Sequence, residues 1–120
     1  MTRRWFIAGL AVAPAFFMAA CHSAHVEITV ENRTGAQVRL LEVDYPDASF
    51  GVDALAPGAV YHYRIQVIGQ GQVKVQYTDA GNHQPQVTGT KLTEGDQGRL
   101  EIVLLPAGKA EFHPQLVPTR

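Results

Sequence analysis

The chain has 120 residues, 46% hydrophobic and 18% charged, with ten Lys and Arg against eleven Asp and Glu. That length sets one domain as the expectation, and the balance excludes a disordered polyelectrolyte and lacks the net basic charge of a nucleic-acid binder. A single cysteine excludes an internal disulfide framework and any paired-cysteine metal knuckle.

Residues 1–20 read as a cleavable export signal. Arg3 and Arg4 make a positive start, the run Trp5–Ala20 carries no charge, and it closes on the small pair Ala19–Ala20. The run is shorter than the roughly 20 residues a membrane helix needs, and Pro14 interrupts it. The only cysteine, Cys21, follows directly. Met18-Ala19-Ala20-Cys21 resembles the lipobox of bacterial lipoproteins. The resemblance implies cleavage between Ala20 and Cys21, with Cys21 becoming the acylated N-terminus. Each buried methylene contributes about 0.8 kcal/mol, so the two or three acyl chains of that family anchor a protein stably where one does not. The implied partner is therefore the membrane, through the N-terminal lipid. His22, rather than Asp, follows the cysteine; within the family this points to the periplasmic side of the outer membrane if the source is Gram-negative. Thr2-Arg3-Arg4-Trp5-Phe6-Ile7 also resembles the twin-arginine export signal. Two arginines serve an ordinary signal equally well, so both export routes stay open.

After cleavage a tether of 21–24 leads into the domain. Removal of Arg3 and Arg4 lowers the ten basic residues to eight against eleven acidic, a formal charge of −3. Period-two alternation predicts strands over 25–31, 37–44, 59–67, 72–78, 86–91, 98–105 and 109–112. Val26, Ile28 and Val30 share one face of the first. In the second the pair Leu40–Leu41 breaks the phase and predicts a bulge. Tyr61, Tyr63, Ile65 and Val67 form the apolar face of the third, which assigns both tyrosines to the core. Breakers separate these runs: Asn32–Gly35, Pro57–Gly58, Gly69–Gly71, Asp79–Asn82, Glu94–Gly98 and Pro106–Gly108. The first and third of these read as hairpin turns, and 45–58 reads as a long connection. Residues 113–120, with two prolines, read as a loose tail after a domain of 25–112. Together these predict an all-β chain: one antiparallel β-sandwich of about seven strands, resembling the immunoglobulin-like or transthyretin-like sandwiches of small bacterial lipoproteins.

The chemistry is sparse. Beyond the signal the serines are Ser23 and Ser49, neither in a nucleophile elbow, and an acylated Cys21 is no nucleophile, so no catalytic residue and no enzyme activity is expected. Asp44, Asp47 and Asp53 read as turn and loop carboxylates rather than a glycosidase pair. Asp79–Asn82 lacks the spacing of a calcium loop. Asn32-Arg33-Thr34 matches a glycosylation sequon, but Gly35 follows and the stretch reads as a turn. Five histidines, His22, His25, His62, His83 and His113, form no dense ligand cluster, so no metal or cofactor is expected. His62 and Arg64 share a strand face, as do Gln72, Lys74 and Gln76 on the next strand. Paired as a hairpin, these strands predict a polar, mildly basic partner face of His62, Arg64 and Lys74. The expected function is a lipid-anchored, non-catalytic cell-envelope module that binds an envelope protein or glycan or serves as an accessory in an assembly. The alternative is a periplasmic metal or small-ligand binder using His22, His25 and His62.

Overall fold

A computed structural model describes residues 24–118. The expected export signal, the expected cleavage position at Ala20, the expected lipidation site Cys21 and the histidine His22 lie outside the described residues. Within them the chain forms eight strands: β1 Val26–Asn32, β2 Val38–Tyr45, β3 Ala48–Leu55, β4 Val60–Ile65, β5 Gln70–Thr78, β6 Gln86–Thr93, β7 Asp96–Leu105 and β8 Lys109–Pro118. They make two four-stranded sheets, ordered β4-β1-β7-β8 and β3-β2-β5-β6. The all-β sandwich expected from the alternation is what forms.

The core lies between the sheets. Val26, Ile28 and Val30 of β1 and Leu100, Ile102 and Leu104 of β7 meet Leu41, Val43, Val73 and Val75 of the second sheet, all fully or nearly fully buried. Burying a Val, Leu or Ile side chain stabilises by roughly 1.5–3 kcal/mol, so this layer holds the fold together. The bulge at Leu40–Leu41 is present. Leu40 takes φ 51° and turns outward, 62% exposed, while Leu41 returns to the core at 2%. The β2–β5 register shifts at the same place, between Arg39 and Glu42.

Several expectations are corrected by the strand order. Asn32–Gly35 and Gly69–Gly71 are not hairpin turns; each carries the chain from one sheet to the other. The stretch 45–58 holds a strand, β3, joined to β2 by the two-residue turn Pro46-Asp47, with Asp47 at φ 74°. The loose tail does not exist over 113–118: β8 pairs with β7 from Leu105↔Lys109 to Asp96↔Pro118. Its two prolines are tolerated because β8 is an edge strand and need not donate on its outer side. Nor is the sandwich wholly antiparallel, since β1 runs parallel to β7, from Val26↔Gly98 to Asn32↔Leu104. The immunoglobulin order keeps the first two strands in one sheet. Here β1 and β2 lie in opposite sheets, so the strand order departs from the immunoglobulin one.

Aromatic side chains close the two open sides of the sandwich. On the β3–β4 side Phe50 stacks on Tyr63, centroids 4.5 Å apart, and also meets Tyr45 and Tyr61 at 6.1 Å. Tyr63 shares the inward phase of Ile65 but sits at the rim, 42% exposed, so its expected full burial is corrected. On the β6–β8 side Phe112 lies over Gly89, where a Cβ would come within 2.5 Å of the ring. A side chain at 89 would expel the ring that seals this side.

Candidate functional site

Strand alternation on the first sheet turns one residue in two away from the core, and the registers align these into rows. The first row runs Val60, Glu31, Val103, Glu111 across β4, β1, β7 and β8. The second runs His62, Thr29, Glu101, His113, and the third Arg64, Glu27, Arg99, Gln115. Neighbours in such a row stand about 4.5–5.5 Å apart at Cβ, close enough to interact. A shallow concavity of about 420 Å³ lies over the first two rows and the Arg99–Gln115 end of the third. Most of its lining residues, among them His62, Arg99, Glu101 and His113, are exposed.

Most charges on this face are partnered. Arg33 Nε donates to Glu31 at 2.7 Å, and this contact raises the Arg33 pKa. Arg64 Nε lies 3.7 Å from Glu27, and Arg99 Nη2 donates to Gln115 at 3.3 Å. His113 Nε2 is 3.1 Å from Glu111. Glu101 and His62 stand apart: among the described residues neither makes a hydrogen bond or close ion pair, and Glu101 acts on Arg33 only through its charge. They line the same concavity in the same row.

The sequence-predicted partner face is divided by the fold. His62 and Arg64 lie on this outer face, but Lys74 does not. Because β4 and β5 belong to different sheets, Lys74 projects from the opposite side of the molecule, 3.6 Å from Asp44. In place of Lys74 the face gains Glu27, Glu31, Glu101, Arg99 and His113, so it is mixed in charge rather than basic. Arg99 and Glu101 do alternate with Leu100 and Ile102 in the sequence. Their neighbours could not be read without knowing that β1 pairs with β7.

The outer face of the second sheet is a closed polar ladder. Gln86 Nε2 donates to Gln76 at 3.0 Å, and Gln76 Nε2 donates to Glu42 at 3.2 Å. The Glu42 carboxyl is raised above the ordinary range, chiefly by its hydrogen bond with Asp44 and by that neighbour's charge. Ser49 is paired with Asp44 on this sheet, away from His62 and His113. Asp53 is exposed on β3 and Asp47 occupies the β2–β3 turn, so the three aspartates do not converge on one cleft.

His25 does not stand open for a metal: its Nδ1 lies 3.3 Å from the Arg64 guanidinium, a cation that opposes a second one. Among the described residues no group of three or more His, Cys, Asp or Glu could hold a metal ion. His83 sits in the β5–β6 turn, 3.4 Å from Asp79. Asn32 is no turn residue either, since the left-handed position is Gly35 at φ 91°. Its side chain is buried and its Nδ2 is committed to the Ala36 and Leu55 carbonyls, which leaves the sequon no reactive amide.

No protein-family model and no curated protein matches this chain. A solved structure does. The NMR structure of a protein from Eubacterium rectale is similar at TM-score 0.55 and 15% identity, covering 80% of this chain and 90% of that one. At that identity the likeness shows the fold alone.

Proposed function

We propose that the protein is a lipid-anchored, non-catalytic module of the bacterial cell envelope that binds another envelope protein through the outer face of β4-β1-β7-β8. The observation that carries the binding face is the pairing pattern. Among the described residues Glu101 and His62 make no hydrogen bond or close ion pair within a polar concavity, Glu101 acting on Arg33 only through its charge, whereas nearly every other charge on the face is directly partnered. Rows of alternating charge suit a partner surface of complementary charge, which sets register and orientation. Exposed lining residues on a strand face favour surface recognition over chemistry in an enclosed pocket. The anchor rests on the lipobox-like Met18–Cys21.

Site-specific photocrosslinking in the native envelope tests the face. A crosslinker at His113 should give a discrete protein adduct, and one at Thr88 on the other sheet should not. Glu101→Gln should weaken the adduct without changing the melting temperature. Equal labelling from both positions, or a glycan adduct from His113, would overturn the reading of a protein-binding face. Membrane fractionation of Cys21→Ser tests the anchor, which predicts release of the variant and loss of the acyl mass.

A further inference from the structure

The strand directions sort every connection to one end of the sandwich or the other. β1 starts, β4 ends, β7 starts and β8 ends at one pole. The Pro46-Asp47 turn, the stretch 66–69 and the turn 94–95 lie there too. Among the described residues, two of the five exposed large hydrophobic side chains sit at this same pole: Ile68, 55% exposed, and Val117, 56% exposed. They flank the first residues of β1 from the two edges of the sheet.

The exposure of Ile68 is built in. Val67 before it is buried at 3%, and the Gly69 N–H after it donates to Glu94 at 2.9 Å, with Gly69 at φ 80°. The loop is thus pinned on both sides of an outward isoleucine. Two carboxylates of this pole are also occupied with backbone: Glu94 accepts from Gly69, and Asp96 accepts from the Thr93 N–H at 2.9 Å. On the outer face Val117 lines a groove with His25, Gln115 and the Arg64–Glu27 pair.

We propose that this pole rests on the lipid surface, with Ile68 and Val117 entering the headgroup region. The inference rests on the lipid anchor at Cys21. Only three residues separate Cys21 from His25, a span of at most about 14 Å over four steps even when fully extended. The ten residues of β7 alone extend over about 33 Å. The pole nearest the anchor is therefore held close to the bilayer, while the far pole can reach it only if the sandwich lies flat. Lying flat on the outer face would instead press Glu27, Glu101 and Glu111 against headgroups. Standing on the pole buries apolar side chains and leaves the candidate binding face lateral and free.

The only tryptophan of the chain, Trp5, lies in the export signal, so an introduced tryptophan reports alone in the mature protein. Full-length chains carrying Ile68→Trp, Val117→Trp or, at the far pole, Gln84→Trp would be expressed in bacteria and purified from membranes. Their N-terminal mass would be measured. They would then be reconstituted in phosphatidylethanolamine–phosphatidylglycerol vesicles with brominated acyl chains. The expected result is a blue shift and strong quenching for positions 68 and 117 and unchanged emission at 84. If the acyl mass is present and the vesicles float with protein, but positions 68 and 117 are quenched no more than 84, the orientation is wrong while the anchor stands. An unacylated N-terminus overturns the anchor, and the orientation with it.

Discussion

Asn32 is the residue on which the passage between the sheets turns. Its Nδ2 donates to the Leu55 carbonyl at 2.9 Å and to that of Ala36 at 2.8 Å, and its Oδ1 accepts from the Thr34 N–H at 3.0 Å. Its backbone is used as well, since Gly58 donates to its carbonyl and its own N–H donates to Ala59. Buried polar groups left without partners cost about 1–3 kcal/mol each. Asn32→Ala should therefore destabilise by about 3 kcal/mol or more in chemical denaturation, and Asn32→Asp, which sets a carboxylate against two carbonyls, by no less. Asp79 works at another connection of the far pole, the β5–β6 turn. Its carboxylate accepts from the backbone N–H groups of His83 and Gly81, and the His83 bond is the main reason its pKa is lowered. A carboxyl that ionises more readily in the folded state contributes above the ordinary aspartate range and is lost as pH falls through its lowered value. In an acid NMR titration the Gly81 and His83 amides should move together, with a midpoint below that of an ordinary aspartate.

Among the elements, the seal between β3 and β4 centres on Phe50 rather than on the tyrosines. Phe50 is 7% exposed and touches three aromatic rings, whereas Tyr63 is 42% exposed. Phe50→Ala should cost about 3–5 kcal/mol in denaturation, and Tyr63→Ala only about 1–2. Strand β8 offers a second comparison. Ending the chain after Phe112 removes Leu116 from the core edge and uncovers half of β7, so stability should fall by at least about 2 kcal/mol. A melting curve like that of the full chain would restore the loose tail. Alternation made β1, β4, β5 and β7 legible in sequence, and the Leu40–Leu41 pair disclosed the bulge. β3 was hidden because Gly51 and two alanines dilute its pattern, and β8 because prolines normally argue against a strand. The divided partner face shows the deeper limit. Alternation reveals which side of a strand is polar, but not which strand lies beside it. Alternation alone therefore sets Lys74 beside His62, whereas Thr29 is the true neighbour and Glu101 and His113 follow along the same row.

For the whole molecule the decisive feature is that β1 waits for β7. Val26 pairs with Gly98, so the first sheet closes only after most of the chain is available. Loop closure of that kind places folding in the millisecond-to-second range typical of all-β sandwiches. Stopped-flow refolding of the domain should show this slow regime, and microsecond folding would contradict the non-local closure.

The position of β1 has a mechanical side as well. It is an interior strand, laddered along its length to β4 on one side and β7 on the other. A chain held at its N-terminal end and pulled through the far pole loads β1 along its own axis. The ladder bonds then share the force in shear instead of parting one after another. Under the proposed lipid anchor, the strand nearest the attachment is thus an interior strand that resists peeling rather than an edge strand that yields to it.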